Sequence, residues 1–136
     1  MITWDDSMST GVARIDTQHK MLFQKFNEFS EATAKSISEA KSREAAGEIL
    51  DFLQFYATWH FGQEENCMNE YKCPVAAVNK QAHAEFIRTF GKFYTEWQTG
   101  IMTPKLVNET YKELEKWLVQ HVARVDTQLR PCVKSK

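Results

Sequence analysis

The sequence predicts an all-α protein, an up-down-up-down antiparallel four-helix bundle with an irregular N-terminal arm. Three observations carry that expectation. Apolar residues recur at helical spacing in four long segments separated by polar turns. Only five Gly and three Pro interrupt the 136 residues. No segment alternates polar and apolar residues as a half-buried strand would, and no internal repeat occurs. A different all-α arrangement would need a long crossover, and no connecting segment is long enough to supply one.

The elements follow in order. Residues 1–15 read as an irregular arm, with Ile2, Trp4 and Ile15 apolar enough to pack it down. Asp16 offers an N-cap, so the first helix is expected from about 17 to about 38. Its stripe is His19, Leu22, Phe23, Phe26 and Phe29 or Ser30. The polar run SISEAKSRE marks the first turn. The second helix is expected from about Ser42 to about 68, with Ala45, Ile49, Phe52, Leu53, Tyr56, His60, Glu64 and Cys67 on its stripe. The loop NEYKCP ends in Pro74, which suits the first turn of a new helix. That third helix runs from about 75 to 98, with Val78 or Asn79, Ala82, His83, Phe86, Phe90, Phe93 and Trp97 on one side. Gly100 is placed to terminate it. Thr103-Pro104 forms a cap and N1 pair for the fourth helix, which carries Leu106, Thr110, Leu114, Trp117, Leu118, His121, Val122 and Val125. Pro131 and the polar tail VKSK are expected to end it. The organisation expected is one domain, with the arm at 1–15, the bundle at 16–130 and a frayed tail at 131–136.

Bulk properties exclude several classes. A formal charge of −1 gives no support for a nucleic-acid or anionic-membrane partner. No apolar run approaches the roughly 18 residues of a membrane span. The start, MITWDDSMST, lacks the basic and apolar regions of a secretory signal. Three cysteines without a CxxC pair argue against a disulfide framework, so a reducing cytoplasm is the expected location. Cys67 and Cys73 read as buried or incidental, and Cys132 as a residue able to cross-link chains on oxidation.

The chemistry concentrates at one end of the expected bundle. In WHFGQEE, His60 and Glu64 lie four residues apart and share a helix face. His19 and His83 fall near the starts of the first and third helices, and His121 and Asp126 near the end of the fourth. In an antiparallel bundle these places are all at one level. His121 and Asp126, five apart, diverge by about 140° on a regular helix, so convergence needs a long reach or a fraying helix end. A single histidine on an apolar stripe is more often a hydrogen-bonded core residue than a ligand. Four histidines and two acids at one level are a different matter. Buried imidazoles and carboxylates are costly unless paired or bound to metal, and bundle cores hold di-metal sites built in this way. Imidazole with carboxylate suits iron, zinc or manganese, and no cysteine in the set points to structural zinc. Glu65 and Glu85 point about 100° from the site and are expected in solvent. Tyr56 and Trp59 read as packing residues.

The pattern His19, His60-x-x-x-Glu64, His83, then His121 and Asp126 resembles hemerythrin in its single-domain bacterial form. Trp4 in the arm, the IDTQH run into the first helix, WHFGQEE and WLVQH all fit, and the match spans nearly the whole chain. The resemblance implies two non-haem iron ions with an oxo or hydroxo bridge, binding O2 or another small diatomic ligand. His19 and His60 would hold the iron that receives O2. Glu64 and Asp126 would bridge, and His83 and His121 would hold the second iron. Leu22, Phe61, Trp117, Leu118 and Val122 correspond to the apolar wall of the oxygen pocket, which keeps water and protons from the bound ligand.

One ligand position departs from the family. A third histidine normally stands four residues before His83, and here that position is Asn79, in VNKQAH. An amide oxygen is a weaker donor to iron than imidazole, so weaker binding of the second iron and an open coordination position are expected. The leading expectation is O2 storage, delivery or sensing. With no output segment appended in the sequence, storage or delivery comes before sensing. The alternative is enzyme-like reactivity with O2, peroxide or nitric oxide, or iron donation for repair, which would need an electron donor the sequence does not name. A third reading is a metal-free or zinc-filled structural bundle.

Overall fold

The computed structural model describes residues 2–34, 40–100 and 103–134. Helix α1 spans Ala13–Ala34, α2 Ala40–Glu70, α3 Ala76–Thr99, α4 Pro104–Arg124 and α5 Leu129–Lys134. Helix α1 packs along α2, α2 along α3, and α4 against α1 and α3. Among the described residues there is no strand. The fold is the expected four-helix bundle, with α5 as an addition.

Helix α1 begins earlier than expected, and Asp16 is not its N-cap. It sits inside the first turn, where its carboxylate accepts from the Thr10 N–H and Thr10 Oγ1 at 2.8 Å and from Ser9 Oγ at 2.7 Å. It thereby anchors the arm, and its charge also lies favourably at the positive end of the helix. The arm is held at its start as well. The Ile2 N–H donates to Asn27 Oδ1 and Asn27 Nδ2 donates to the Ile2 carbonyl, both at 2.8 Å. Trp4 packs on Phe23 and lies under the Lys20 ammonium. Residues 35–38, assigned to the first helix by the sequence, lie outside the described residues. Helix α2 starts at Ala40, within the polar run expected to be a turn.

The buried stripe of α2 differs from expectation in its first half. Ala46, Leu50, Leu53 and Ala57 are buried, whereas Ala45, Ile49, Phe52 and Tyr56 are not. The cause is geometric. Steps of four residues from His60 drift by about 40° each, and the buried line must mix steps of three and four to stay on one face. The same drift misplaced the start of α4, where Val107 and Tyr111 are buried and Leu106 is exposed. In α3 it is Asn79, not Val78, that faces inward.

Helix ends follow the local signals until the last one. Gly100 caps α3 at φ 73°, a left-handed conformation that strains any residue with a Cβ. Thr103 Oγ1 accepts from the Leu106 N–H at 3.1 Å, with Pro104 at the start of α4. Pro131, expected to end the fourth helix, does not. Helix α4 stops at Arg124, a 3-10 turn covers Asp126–Gln128, and Pro131 lies in the first turn of α5, where a missing N–H costs no hydrogen bond. The segment expected as a frayed tail is therefore helical through Lys134. Leu129 is fully buried, and Arg130 donates to the carbonyls of Ser7 and Ser9.

A second correction concerns the cysteines. Cys73, in the α2–α3 loop, and Cys132, in α5, form a disulfide with Cα atoms 5.6 Å apart. Cys132 is thus tied within its own chain, and Cys67 alone remains a free, buried thiol. An odd cysteine count conceals one pair plus one thiol, and it removes the composition argument for a reducing compartment.

The half of the bundle away from the α2–α3 loop is aromatic. Phe29 meets Phe93, Trp97 and Tyr111 with ring centres 5.4 to 6.2 Å apart. The buried Tyr111 hydroxyl donates to the Phe26 carbonyl at 2.8 Å. Each such side chain stabilises by ~1.5–3 kcal/mol through burial. That half supplies the rigidity on which the other, polar half depends.

Candidate metal centre

Four helices and the 3-10 turn bring six polar side chains to the loop end of the bundle. His19 comes from the second turn of α1, and His60 and Glu64 from the last third of α2. His83 comes from the second turn of α3, His121 from the last turn of α4, and Asp126 from the turn after it. None of the six is more than 6% exposed. The break after Arg124 solves the problem of Asp126: leaving the α-helix swings its carboxylate back toward His121.

Glu64 is central. Its Oε2 lies 2.8 Å from His19 Nε2 and 3.4 Å from His60 Nε2, and its Oε1 lies 2.9 Å from His83 Nε2. Asp126 Oδ2 is 3.1 Å from His19 Nε2, and its Oδ1 is 3.2 Å from His121 Nε2. His83 and His121 bring their Nε2 atoms within 3.1 Å of each other. All four imidazoles therefore turn Nε2 inward. The donors fall into two overlapping groups: His19, His60 and Glu64, and Glu64, His83, His121 and Asp126. Glu64 belongs to both.

The outward nitrogens decide what the inward ones can do. Gln18 Oε1 lies 2.6 Å from His60 Nδ1, and Glu65 Oε2 lies 3.1 Å from His83 Nδ1. An oxygen acceptor fixes the proton on Nδ1 and leaves the Nε2 lone pair pointing into the cluster. Lone pairs of His83 Nε2 and a Glu64 oxygen at 2.9 Å repel unless a proton or a cation lies between them. The donor atoms of each group lie within 4.8 Å of one another, close enough to share one ion. His19 Nδ1 and Asn79 Oδ1 are buried without a hydrogen-bond partner, and Asp126 Oδ1 has only the ion-pair approach of His121 Nε2 and no hydrogen bond, an expense that a bound cation would relieve for that carboxylate. Nitrogen and carboxylate donors without thiolate suit iron, manganese or zinc. The residues present fit a metal pair.

Titration behaviour reflects the same crowding. Burial pushes the His19 imidazole down, but the carboxylates of Asp126 and Glu64 outweigh it and raise its pKa to about 10. Burial opposes ionisation of Glu64, yet His19, His60 and His83 hold its carboxyl well below the usual range. His60 is lowered, because burial exceeds the help from Glu64. His83 is raised despite burial, through Glu64, Asp126 and Glu65.

Around the cluster, Leu22, Phe61, Leu118 and Val122 are buried in the apolar core. Phe61 stacks on His83 with ring centres 4.0 Å apart, and the partly exposed Trp117 stacks on His121 at 4.4 Å. Asn79 is fully buried; its Nδ2 donates to Glu64 Oε1 at 3.1 Å and meets Met68 Sδ at 3.2 Å. Glu65 corrects an expectation: it does not simply face solvent but supports His83. Gln18 and Met68 were missed altogether. A residue next to a ligand can lie on the flank that meets the neighbouring helix and support a ligand there. Gln18 in QH and Glu65 in EE are of this kind, whereas Lys20 and Trp59, also next to ligands, are exposed.

A bundle of antiparallel helices with a buried histidine–carboxylate cluster at one end defines a class of metal-binding protein. Residues 10–133 match the hemerythrin HHE cation-binding domain, and the chain belongs to the hemerythrin family. Family membership implies a non-haem iron site, and this cluster is where it fits. The chain is 27% identical over 135 residues to a bacteriohemerythrin of Stenotrophomonas maltophilia, covering 99% of this chain and 83% of that one. It is 26% identical over 136 residues to a bacteriohemerythrin of Methylococcus capsulatus, covering 99% and 98%. A wild-type hemerythrin crystal structure superposes with a TM-score of 0.85 at 26% identity, covering 98% of each chain.

Proposed function

We propose that the chain is a di-iron protein that binds O2 reversibly, for storage, delivery or sensing. His19 and His60 would hold one iron, His83 and His121 the other, with Glu64 and Asp126 between them. The observation that carries this reading is the shared position of Glu64, whose two oxygens face histidines of opposite groups. When bound, the iron pair supplies reversible electron exchange with O2. The protein's own part is placement and exclusion. Gln18 and Glu65 fix the tautomers of His60 and His83, and Glu64 and Asp126 would supply carboxylate donors to the ions. Leu22, Phe61, Leu118 and Val122 keep bulk water from the cluster, with Trp117 as the partly exposed outer wall. Asn79 leaves the His83–His121 side without a third imidazole, so that ion would be held less tightly than a histidine at position 79 would hold it.

The test is an anaerobic Fe(II) titration followed by air exposure, watched by visible absorbance. Uptake of two irons and a visible band that disappears under vacuum and returns with O2 support the reading. Steady consumption of a reductant with O2 or nitric oxide and no reversible band would instead favour enzyme-like reactivity, to which the amide at position 79 lends some weight.

A further inference from the structure

The two histidines with acceptors behind them are not treated alike. His60 Nδ1 faces the neutral amide oxygen of Gln18, whereas His83 Nδ1 faces the carboxylate of Glu65. We propose that Glu65 is a positioning residue that compensates for the imidazole missing at position 79, by making His83 a stronger nitrogen donor to the second metal ion. The inference rests on the two-iron reading above.

A carboxylate that accepts the Nδ1 proton draws it further from the ring than an amide does, and shifts electron density onto Nε2. The stronger acceptor thus stands on the side where position 79 carries an amide in place of an imidazole. Asn79 weakens that side twice. It supplies no imidazole, and its Nδ2 donates to Glu64 Oε1, the oxygen that faces His83, drawing density from it. Glu65 answers from the same helix, one residue beyond Glu64. Its side chain is 22% exposed, so it reaches both solvent and His83. The orientation of the His83 ring does not depend on Glu65 alone, because Phe61 stacks flat against it. What Glu65 adds is charge. Glu65→Gln removes that charge while preserving size and an oxygen acceptor.

The experiment is an anaerobic Co(II) titration of the full chain against a competing chelator, read by the visible bands of cobalt. Four proteins are compared: the unsubstituted chain, Glu65→Gln, Asn79→His and the double variant. The expected result is two ions in the unsubstituted chain, with Glu65→Gln weakening only one of the two by about 10-fold or more. In the Asn79→His background the same Glu65→Gln change should cost less than about threefold, since the third imidazole makes the support redundant. Unchanged affinities in Glu65→Gln, equal weakening of both ions, or the same loss in both backgrounds would each overturn the inference. Uptake of a single ion by the unsubstituted chain would overturn the two-iron reading, and this inference with it. Two ions there, unmoved by Glu65→Gln, would overturn the inference alone.

Discussion

Replacing Cys132 with Ser opens the only covalent tie between the α2–α3 loop and α5 among the described residues. The paired cysteines are 59 positions apart, and the chain entropy restored to the unfolded state by opening a loop that long is worth about 4 kcal/mol. Little of that should be recovered or added in the folded state. Leu129 remains fully buried and Arg130 remains bonded to the arm carbonyls, so α5 has reason to stay docked without the bridge. Against a total stability of roughly 5–15 kcal/mol the loss is large, on the order of 15 °C in Tm for a chain of this size. Urea unfolding of the metal-free protein measures it. Cys132→Ser, Cys73→Ser and the reduced unsubstituted chain should give one common loss of stability, because all three remove the same constraint. A loss below about 1 kcal/mol in all three would refute the entropic argument. Disagreement between the two serine variants would show that one cysteine does something besides cross-linking.

Two further outcomes follow from the cluster. Asn79→His should raise the iron content recovered per chain and lengthen the life of the oxygenated form's visible band; no change in either would show that position 79 does not limit the second iron. In the metal-free protein, Glu64 is depressed, so its contribution to stability is present above its ordinary value near 4.5 and is lost as pH falls below it. His19 is raised to about 10 and His83 is raised, so their contributions are full below about 6.5 and fade as pH climbs, His19's through about 10. His60, which is lowered, works the other way and costs stability below about 6.5. Urea midpoints of the metal-free form should therefore decline from pH 6.5 toward pH 10, and metal uptake at pH 7 should release the proton held by His19, seen as acid in an unbuffered titration. A midpoint that rises steadily toward pH 10, or uptake without proton release, would contradict the assigned pairing.

What the sequence made legible and what it did not separate along a physical line. The bundle was legible because four amphipathic segments state it redundantly, and the histidine–carboxylate cluster because histidine is rare enough here that four at one level are conspicuous. The starts of stripes were less so. Extrapolating backward from His60 accumulates angular error, and only the packing partner decides whether Ile49 or Leu50 faces inward. Asp126 was visible as a residue, but the helix break that aims it carries no Gly or Pro. Pro131, the obvious punctuation, sits beyond the true end. The disulfide was hidden because Cys73 and Cys132 are far apart in sequence, and parity counts cannot detect a pair beside a free thiol. The supporting residues Gln18 and Glu65 were hidden because a period of 3.6 assigns them to flanks. In a four-helix bundle the flank of one helix meets the next.

The placement of the disulfide has a physical logic tied to the site. Filling one end of a bundle with four imidazoles and two carboxylates is an unfavourable way to make a core, since apolar side chains of similar volume would pack there without desolvation cost. Until metal binds, that end is held together by ion pairs whose protonation shifts with pH, while the aromatic end needs no such help. The covalent bridge lies at the polar end, between the loop joining α2 to α3 and the helix that follows Asp126. The arm, pinned by Asp16 and Arg130, is held against the same region. Restraints that act through the unfolded chain or through the backbone do not depend on the charge state of the cluster. They let the ligand positions persist when the ligands themselves repel, so that the metal-free protein presents a formed site rather than one that must fold around the ion.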